Sequence, residues 1–472
     1  MLTLLRRPPV KVALAVALVL LLRIQPNWTP LLHGLNVARS SSTLTAASYA
    51  AIADAYARQP WNAARAESAG LAALGVGDTT AAQAALEDAV AIKGWTPELH
   101  IAMGDVYNET GDSKSALAEW EAALPDRPAD PKLLTRLAVA YESADLYPQA
   151  VAALSTLVGL QPGDAVAQYR LGVLLSVIDP PSAPSHLALA AAQDAAVQPF
   201  ADSLNQAITA GLDTKDSSYT AAIVGYTLIG LKEYGLAKAS LLNAVSSRPD
   251  FAEAYAYLGL AEDQLGNDGT YAYDRAVAID DKLPLVHYLL GLHYRRAQDH
   301  DKAVVELQRA FELDPSNAAA AAELGSAFTE QADLETAEIW YTQAVNVAPR
   351  DANFWILLAN FYLDHGLKVE TTGLLAAEKA AELAPGSAEA HDAVGYGEYL
   401  NRRFDLAERA LLKAQSLDPQ SARVYYHLGL VYVDTARISE ARQALQTAVA
   451  LDPGGPIATL ALQTLARLGS PS

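Results

Sequence analysis

The chain lacks cysteine, and it lacks an excess of positive charge. Without cysteine it has no disulfide bonds, zinc ribbons, thiolate nucleophile or lipid-modified N-terminal cysteine. The absence of cysteine is compatible with a location on either side of a membrane. The formal net charge is -20 and the sequence pI is about 4.8, and the resulting field repels phosphate backbones. No basic stripe interrupts this acidic character, so we do not expect nucleic acid among the partners.

The N-terminus lacks an apolar run long enough for a comfortable membrane span. Residues 12–22 are apolar, follow Arg6, Arg7 and Lys11, and end at Arg23. At about 1.5 Å per residue this run would cover roughly 16 Å as a helix, whereas a hydrocarbon core is roughly 30 Å thick. A positive flank followed by a short apolar run is typical of a signal peptide or a signal anchor.

Three interpretations of this N-terminal segment stay open. An uncleaved anchor would let Arg23 snorkel to the membrane interface, where Trp28 would also lie. A cleaved signal peptide fits the length, but no small-x-small site follows closely, and a buried hydrophobic helix is the third interpretation. The first two keep Arg6, Arg7 and Lys11 in the cytoplasm. We therefore expect a membrane-anchored protein with an extracytoplasmic repeat body, or a secreted or periplasmic protein after cleavage.

A pattern that returns about every 34 residues dominates the rest of the chain. Its first clear unit, residues 97–130, contains these members: Gly104, Tyr107, Gly111, Ala116, Trp120, Ala123 and Pro128. Similar spacing of small residues, large apolar residues and a closing proline returns in units that end at Pro162, Pro249, Pro315, Pro349, Pro419 and Pro453. Glycine and alanine allow two helices to approach closely, a large side chain fills the space between them, and proline ends the second helix.

This pattern resembles the tetratricopeptide repeat family, whose signature pairs glycine and an aromatic residue on one helix with alanine, aromatic, alanine and proline on the next. The resemblance covers nearly everything after Trp61. It implies an all-α fold, namely a right-handed superhelical solenoid of antiparallel helix pairs with about ten to eleven repeats. An N-terminal hydrophobic targeting or anchor helix would precede the repeats.

Six segments follow from the pattern and its interruptions. They are a signal peptide or signal anchor (1–24), a linker (25–43), N-terminal repeats with a cap helix (44–164), an irregular repeat with an inserted helix (165–217), a regular repeat array (218–455) and a C-terminal capping helix (456–472). The fourth segment is irregular because Pro180, Pro181 and Pro184 break a repeat turn, and residues 200–212 are predicted to form the inserted helix. We interpret the insertion as a spacer that changes the direction of the solenoid, with a partner contact and a hinge as alternatives.

The resemblance also implies a concave groove lined by the first helix of each pair. Outward positions on those helices give the predicted partner-binding residues: Tyr288, Arg295, Arg296, Asn353, Asn360, Tyr396, Tyr399 and Tyr426. Aromatic residues and arginine are enriched where proteins adhere to each other. The alternative for each tyrosine is that it packs between neighbouring helices.

Two ligand modes known in the resembled family are not supported here. A clamp for a peptide carboxylate needs lysine one turn before Asn360, where Ile356 stands. A ladder of asparagines is also missing, because the sixth positions of the repeats hold Ala102, Arg136, Ile223, Tyr257, Leu289 and Glu323. The ligand is therefore not identified by family pattern.

Catalytic and metal-binding patterns are equally weak. His287, His293 and His300 lack the spacing of paired ligands on one helix face. Residues 75–80 are rich in glycine but lack the lysine of a phosphate-binding loop, so a turn is the simpler interpretation. We predict no catalytic residue, metal site, cofactor or small-molecule substrate, and the chain is not expected to be an enzyme.

The expected function is that of a non-catalytic scaffold or adaptor of the cell envelope, which binds partner proteins or peptides in the groove. The alternative is a non-catalytic subunit of an envelope enzyme, or of a system that exports polysaccharide or protein. The N-terminal segment would supply the membrane contact in either case.

Overall fold

The computed structural model describes residues 46–469, and all regular secondary structure in that range is helical. The prediction of an all-α fold is therefore confirmed. The predicted signal or anchor (1–24), the linker (25–43) and residues 470–472 lie outside the described residues. Among the described helices, none has the length and apolar character to cross a membrane.

The first of two compact units reaches to Ala272. Its helices are α1 (Ala46–Arg58), α2 (Ala63–Gly75), α3 (Thr79–Lys93), α4 (Pro97–Glu109), α5 (Ser113–Ala123), α6 (Pro131–Ser143), α7 (Tyr147–Leu160), α8 (Ala165–Ile178), α9 (Ala183–Gln193), α10 (Gln198–Asp213), α11 (Ser217–Gly230), α12 (Tyr234–Ser247) and α13 (Ala252–Gln264). A 3-10 turn, Pro180–Ser182, precedes α9, where the three prolines were expected to break the repeat. Helix α14 (Thr270–Ile279) spans the boundary.

The second unit begins at Tyr273. Its remaining helices are α15 (Pro284–Arg296), α16 (His300–Leu313), α17 (Ala318–Glu330), α18 (Leu334–Val347), α19 (Ala352–Asp364), α20 (Leu374–Leu383), α21 (Ala388–Leu400), α22 (Phe404–Leu417), α23 (Ala422–Asp434), α24 (Ile438–Leu451) and α25 (Pro456–Arg467). A π-helical turn, Val369–Gly373, precedes α20.

Within the units the helices pack as consecutive pairs. Five pairs lie in the first unit and five in the second, from α2 with α3 to α23 with α24. Helix α10 packs between two pairs, on α9 and α11, where the inserted helix was expected. Helix α25 packs on α24, where Ala461 joins a buried cluster with Leu445 and Ala448. This arrangement agrees with the predicted number of repeats.

Close contact between paired helices explains the small residues of the repeat. A Cβ atom on Gly395 would lie 2.5 Å from Leu411 Cγ, and one on Gly104 would lie 2.5 Å from Trp120 Nε1. Gly325 stands in the same relation to Tyr341. In these three pairs the glycine of the first helix therefore makes room for the large residue of the second helix, as the sequence pattern predicted.

Polar caps and left-handed turns fix the ends of the first helices. The Asp351 side chain accepts from the Asn353 amide at the start of α19, and Ser387 Oγ accepts from the Ala390 amide at the start of α21. After α21 and α23 the chain turns through Arg402 and Ala436, with φ of 60° and 61°. Such a left-handed residue ends a helix and directs the chain back along it.

Candidate binding surface

All eight predicted binding residues lie in the second unit, on the first helices of their pairs. Helix α15 carries Tyr288, Arg295 and Arg296, α19 carries Asn353 and Asn360, α21 carries Tyr396 and Tyr399, and α23 carries Tyr426. Their surroundings differ, and only part of the set meets at one surface.

Tyr288 does not lie on a binding surface, so its expected outward position is wrong. Its side chain is 1% exposed. It lies on α15 within residues 286–291, all six of which are buried. A tyrosine in such a run contributes packing area, which was the alternative considered for each tyrosine.

Arg295 is held by carboxylates of the next first helix. Its Nη2 lies 2.5 Å from Glu330 Oε1, and its Nη1 contacts the buried Glu323. The same kind of bridge joins α4 to α6 in the first unit, where Arg136 Nη2 donates to Asp105 Oδ2 at 2.7 Å. Arg295 is thus positioned as a link between repeats, whereas Arg296 beside it is exposed.

Asn353 lies in the first turn of α19 and is half-buried. Its side-chain amide donates to Asp351 Oδ1 at 2.8 Å, and its backbone amide donates to the same oxygen. This residue therefore completes the helix cap. Asn360, two turns further along, takes part in a different set of contacts.

A row of aromatic rings crosses from α21 to α23. The Tyr396 ring stacks on His427 with centroids 4.2 Å apart and planes 2° from parallel. Tyr399 lies 6.1 Å from Tyr396 on α21, and Tyr426 lies 5.7 Å from His427 on α23. The three tyrosines are half-buried, while His427 is buried. We call these four residues the tyrosine surface.

Five polar residues form a network beneath the tyrosines, which we call the Arg423 network and which shares His427 with the tyrosine surface. They are Asn360 and Asp364 of α19, Asp392 of α21, and Arg423 and His427 of α23. Arg423 lies 3.1 Å from Asp392 Oδ2 through Nε, and its Nη2 donates to Asn360 Oδ1 at 3.0 Å. The other oxygen of Asp392 lies 2.7 Å from His427 Nδ1. First helices of three successive repeats are therefore joined by one set of charge-assisted contacts.

Tyr396 and Tyr399 remain neutral at ordinary pH. Burial is the main cause that raises the pKa of Tyr399, and its hydrogen bond to Asp434 adds to the effect. Burial also raises the pKa of Tyr396, with a further contribution from the Asp364 carboxylate. The surface thus presents uncharged rings beside carboxylates.

Sequence reasoning missed the residues that hold this surface together. Asp392 precedes Tyr396 by four residues and Arg423 precedes Tyr426 by three, so each lies one helical turn from a predicted tyrosine. That spacing was a usable signal. The same spacing places His427 beside Arg423, one helical turn further along α23.

The histidines considered for metal binding have other partners. His287 Nδ1 lies 2.6 Å from Glu306 Oε2, and His300 Nδ1 lies 3.2 Å from Glu330 Oε2. The hydrogen bond to Glu306 is the main cause that raises the pKa of His287. Across residues 46–469 the structure brings together no group of three or more histidine or acidic side chains suited to a metal ion.

Comparison with known sequences finds repeats in three stretches of the chain. Residues 101–165 and 395–456 match a family model described as tetratricopeptide repeat, and residues 294–361 match a second model of that description. Residues 294–361 include Arg295 and Asn353, and residues 395–456 include the tyrosine surface.

Two curated relatives are much longer than this chain. Superkiller protein 3 of Schizosaccharomyces pombe is 25% identical over 222 residues, which cover 45% of this chain and 16% of that protein. Tetratricopeptide repeat protein 37 of Xenopus laevis is 30% identical over 212 residues, which cover 34% of this chain and 13% of that protein. The chain thus spans a small fraction of the length of the relatives it matches.

Similar solved structures include yeast Tom70, with 17% identity, a TM-score of 0.41, and coverage of 87% of this chain and 95% of that one. A chain of the APC/C hetero-tetramer Cut9–Hcn1 has 13% identity and a TM-score of 0.42, and the match covers 92% of this chain and 99% of that one.

Proposed function

Because this chain is a tetratricopeptide repeat protein, we propose that it is a non-catalytic scaffold that binds a partner protein or peptide at the tyrosine surface. Proteins built from these repeats are typically scaffolds for protein–protein interaction. One observation carries the choice of surface: side chains from α19, α21 and α23 meet there.

The geometry of the tyrosine surface suits an adhesive role. Its three tyrosine rings are half-buried, so a partner would remove apolar area from water without first ordering mobile side chains. Tyrosine and arginine are the residue types that most often dominate binding energy in protein interfaces. The Arg423 network fixes the ring of His427, on which Tyr396 stacks, and thereby keeps the surface in one arrangement.

Removing two of the rings tests this proposal. We expect Tyr396→Ala with Tyr399→Ala to lower the amount of partner captured by the tagged chain at least about tenfold, because two interface anchors are lost. The measurement is crosslinking and pull-down from cells, with partners quantified by mass spectrometry. Tyr271→Ala is the control, since Tyr271 is 73% exposed and lies away from this surface in the sequence. Unchanged capture by a folded double variant would refute the proposal.

The proposed scaffold works at a membrane, to which its N-terminus tethers it, with the repeats on the extracytoplasmic side. The support is the positive flank and apolar run of residues 6–23. Deleting residues 1–23 should move the chain from the membrane fraction to the soluble fraction and lower partner capture from membranes. Fractionation of tagged chains measures this. Equal membrane association of both chains would contradict the tether.

A further inference from the structure

The tyrosine surface lies among carboxylates. Helices α19, α21 and α23 together carry one arginine, Arg423, and these acidic residues: Asp364, Glu389, Asp392, Glu398 and Asp434. The whole chain is acidic as well, with a formal net charge of -20. A partner that approaches this face therefore meets a negative potential.

Internal pairing neutralises only part of this charge. Glu398 lies 2.5 Å from Arg403 Nε, and Asp392 is buried against Arg423 and His427. Asp364 shares the same arginine at 3.3 Å, and its side chain is 50% exposed. A single guanidinium thus faces two carboxylates within the network.

Two further carboxylates of the face, those of Glu389 and Asp434, accept hydrogen bonds from neutral hydroxyl groups. Glu389 accepts from Ser387 Oγ at 2.9 Å, and Asp434 accepts from the Tyr399 hydroxyl at 3.0 Å. Both residues are exposed. Three accessible carboxylates, those of Asp364, Glu389 and Asp434, therefore lack a full counter-charge.

Aromatic faces and carboxylates favour the same kind of side chain. The face of a tyrosine ring is the negative side of its quadrupole, so it attracts an ammonium or guanidinium group. Because the Tyr399 hydroxyl donates a hydrogen bond to Asp434 Oδ2, the ring and the carboxylate lie next to each other. A lysine or arginine of a partner would satisfy both at once, whereas an acidic or phosphorylated segment would be repelled.

We propose that the tyrosine surface binds a basic segment of the partner, whose lysine or arginine side chains lie against the tyrosine rings and pair with Asp364, Glu389 and Asp434. This inference rests on the proposed function and names the chemistry of the ligand. Charge sets both the approach and the specificity, so binding weakens as salt is added.

Two synthetic peptides of equal length test the inference on the full chain. In one peptide, arginine and lysine alternate with serine and glycine, and in the other, glutamine replaces every arginine and lysine. Fluorescence anisotropy of labelled peptides gives the dissociation constants. The basic peptide should bind, with a constant that rises with salt, and the glutamine peptide should bind at least about tenfold more weakly. Equal binding of both peptides would overturn the inference.

A pair of charge-matched variants separates this site from the general acidity of the chain. The site variant carries Asp364→Asn, Glu389→Gln and Asp434→Asn. The control carries Glu335→Gln, Glu378→Gln and Glu382→Gln, three exposed residues of the second helices α18 and α20. Both lose three negative charges. The site variant should bind the basic peptide about tenfold more weakly, and the control less than about twofold. Equal weakening of both would overturn the assigned site.

The outcomes also distinguish the two proposals. If partner capture depends on Tyr396 and Tyr399 while the basic peptide does not bind, the inference fails and the scaffold function stands. If the basic peptide binds through the three carboxylates while the tyrosine variants leave partner capture unchanged, the scaffold function assigned to this surface fails.

Discussion

We expect Arg170→Met to lower the free energy of unfolding of the first unit by about 3–5 kcal/mol, the usual cost of removing one partner from a buried ion pair. Arg170 lies on α8, with its side chain 11% exposed. Its Nε donates to Glu142 Oε2 at 2.6 Å, and its Nη1 donates to Glu233 Oε1 at 2.6 Å. Without the arginine, two carboxylates that are 11% and 13% exposed would face each other with no counter-charge.

Urea denaturation followed by circular dichroism measures this loss. Arg309→Met is the control, because the Arg309 side chain is 42% exposed and pairs with the neighbouring Glu312, itself 66% exposed, at 3.3 Å. Adding Glu142→Leu and Glu233→Leu to Arg170→Met should restore much of the stability, since no buried charge remains. A loss below about 1 kcal/mol for Arg170→Met, as for an exposed pair, would contradict this account of the network.

The stability lost in Arg170→Met should also depend on pH. Burial raises the pKa of Glu142 even with Arg170 beside it. A carboxyl group whose folded pKa is raised contributes less to stability as pH rises through that pKa. Removing Arg170 raises the pKa of Glu142 further, because the arginine favours the charged carboxylate. The stability lost in Arg170→Met should therefore be larger near neutral pH, and smaller at acidic pH, where the carboxyl group is protonated.

We expect Asp392→Ala to destabilise the second unit by about 3 kcal/mol, because it removes the acceptor shared by Arg423 and His427. The side chains of Asp392 and His427 are each 5% exposed, so water cannot replace the lost bond to His427. Tyr396, which stacks on His427, should lose its fixed position, and partner capture should fall with stability.

Asp364→Ala is the matched control within the same network. Its side chain is 50% exposed and lies 3.3 Å from Arg423, so its removal should cost less than about 1 kcal/mol. Thermal and urea unfolding of both variants give the comparison. Equal losses would show that Asp392 is not the buried centre of the network.

The paired helices could be predicted from sequence because their contacts are local. Gly395 faces Leu411 and Gly104 faces Trp120 across one hairpin, so a fixed spacing of sixteen residues encodes each contact. Helix ends follow from short-range signals as well, such as the caps Asp351 and Ser387. These features need no knowledge of how one repeat lies on the next.

The candidate site could be predicted only in part, because it depends on how neighbouring repeats stack. Asn360 and Arg423 are 63 residues apart and meet across two intervening repeat boundaries, which no local spacing encodes. Tyr288 and Tyr426 each stand three residues before the repeat glycine, yet Tyr288 is buried and Tyr426 is half-buried. Identical positions in the repeat therefore differ in exposure according to the helices around them.

The central claim is that a partner contacts the tyrosine surface, and site-specific photo-crosslinking tests it most directly. A photo-reactive phenylalanine analogue would replace Tyr396 in one full-length chain and Tyr271 in another, and both would be irradiated in cells. We expect a covalent adduct with a partner protein from position 396 and none from the exposed position 271. An adduct from position 271 alone, or equal yields from both positions, would contradict it.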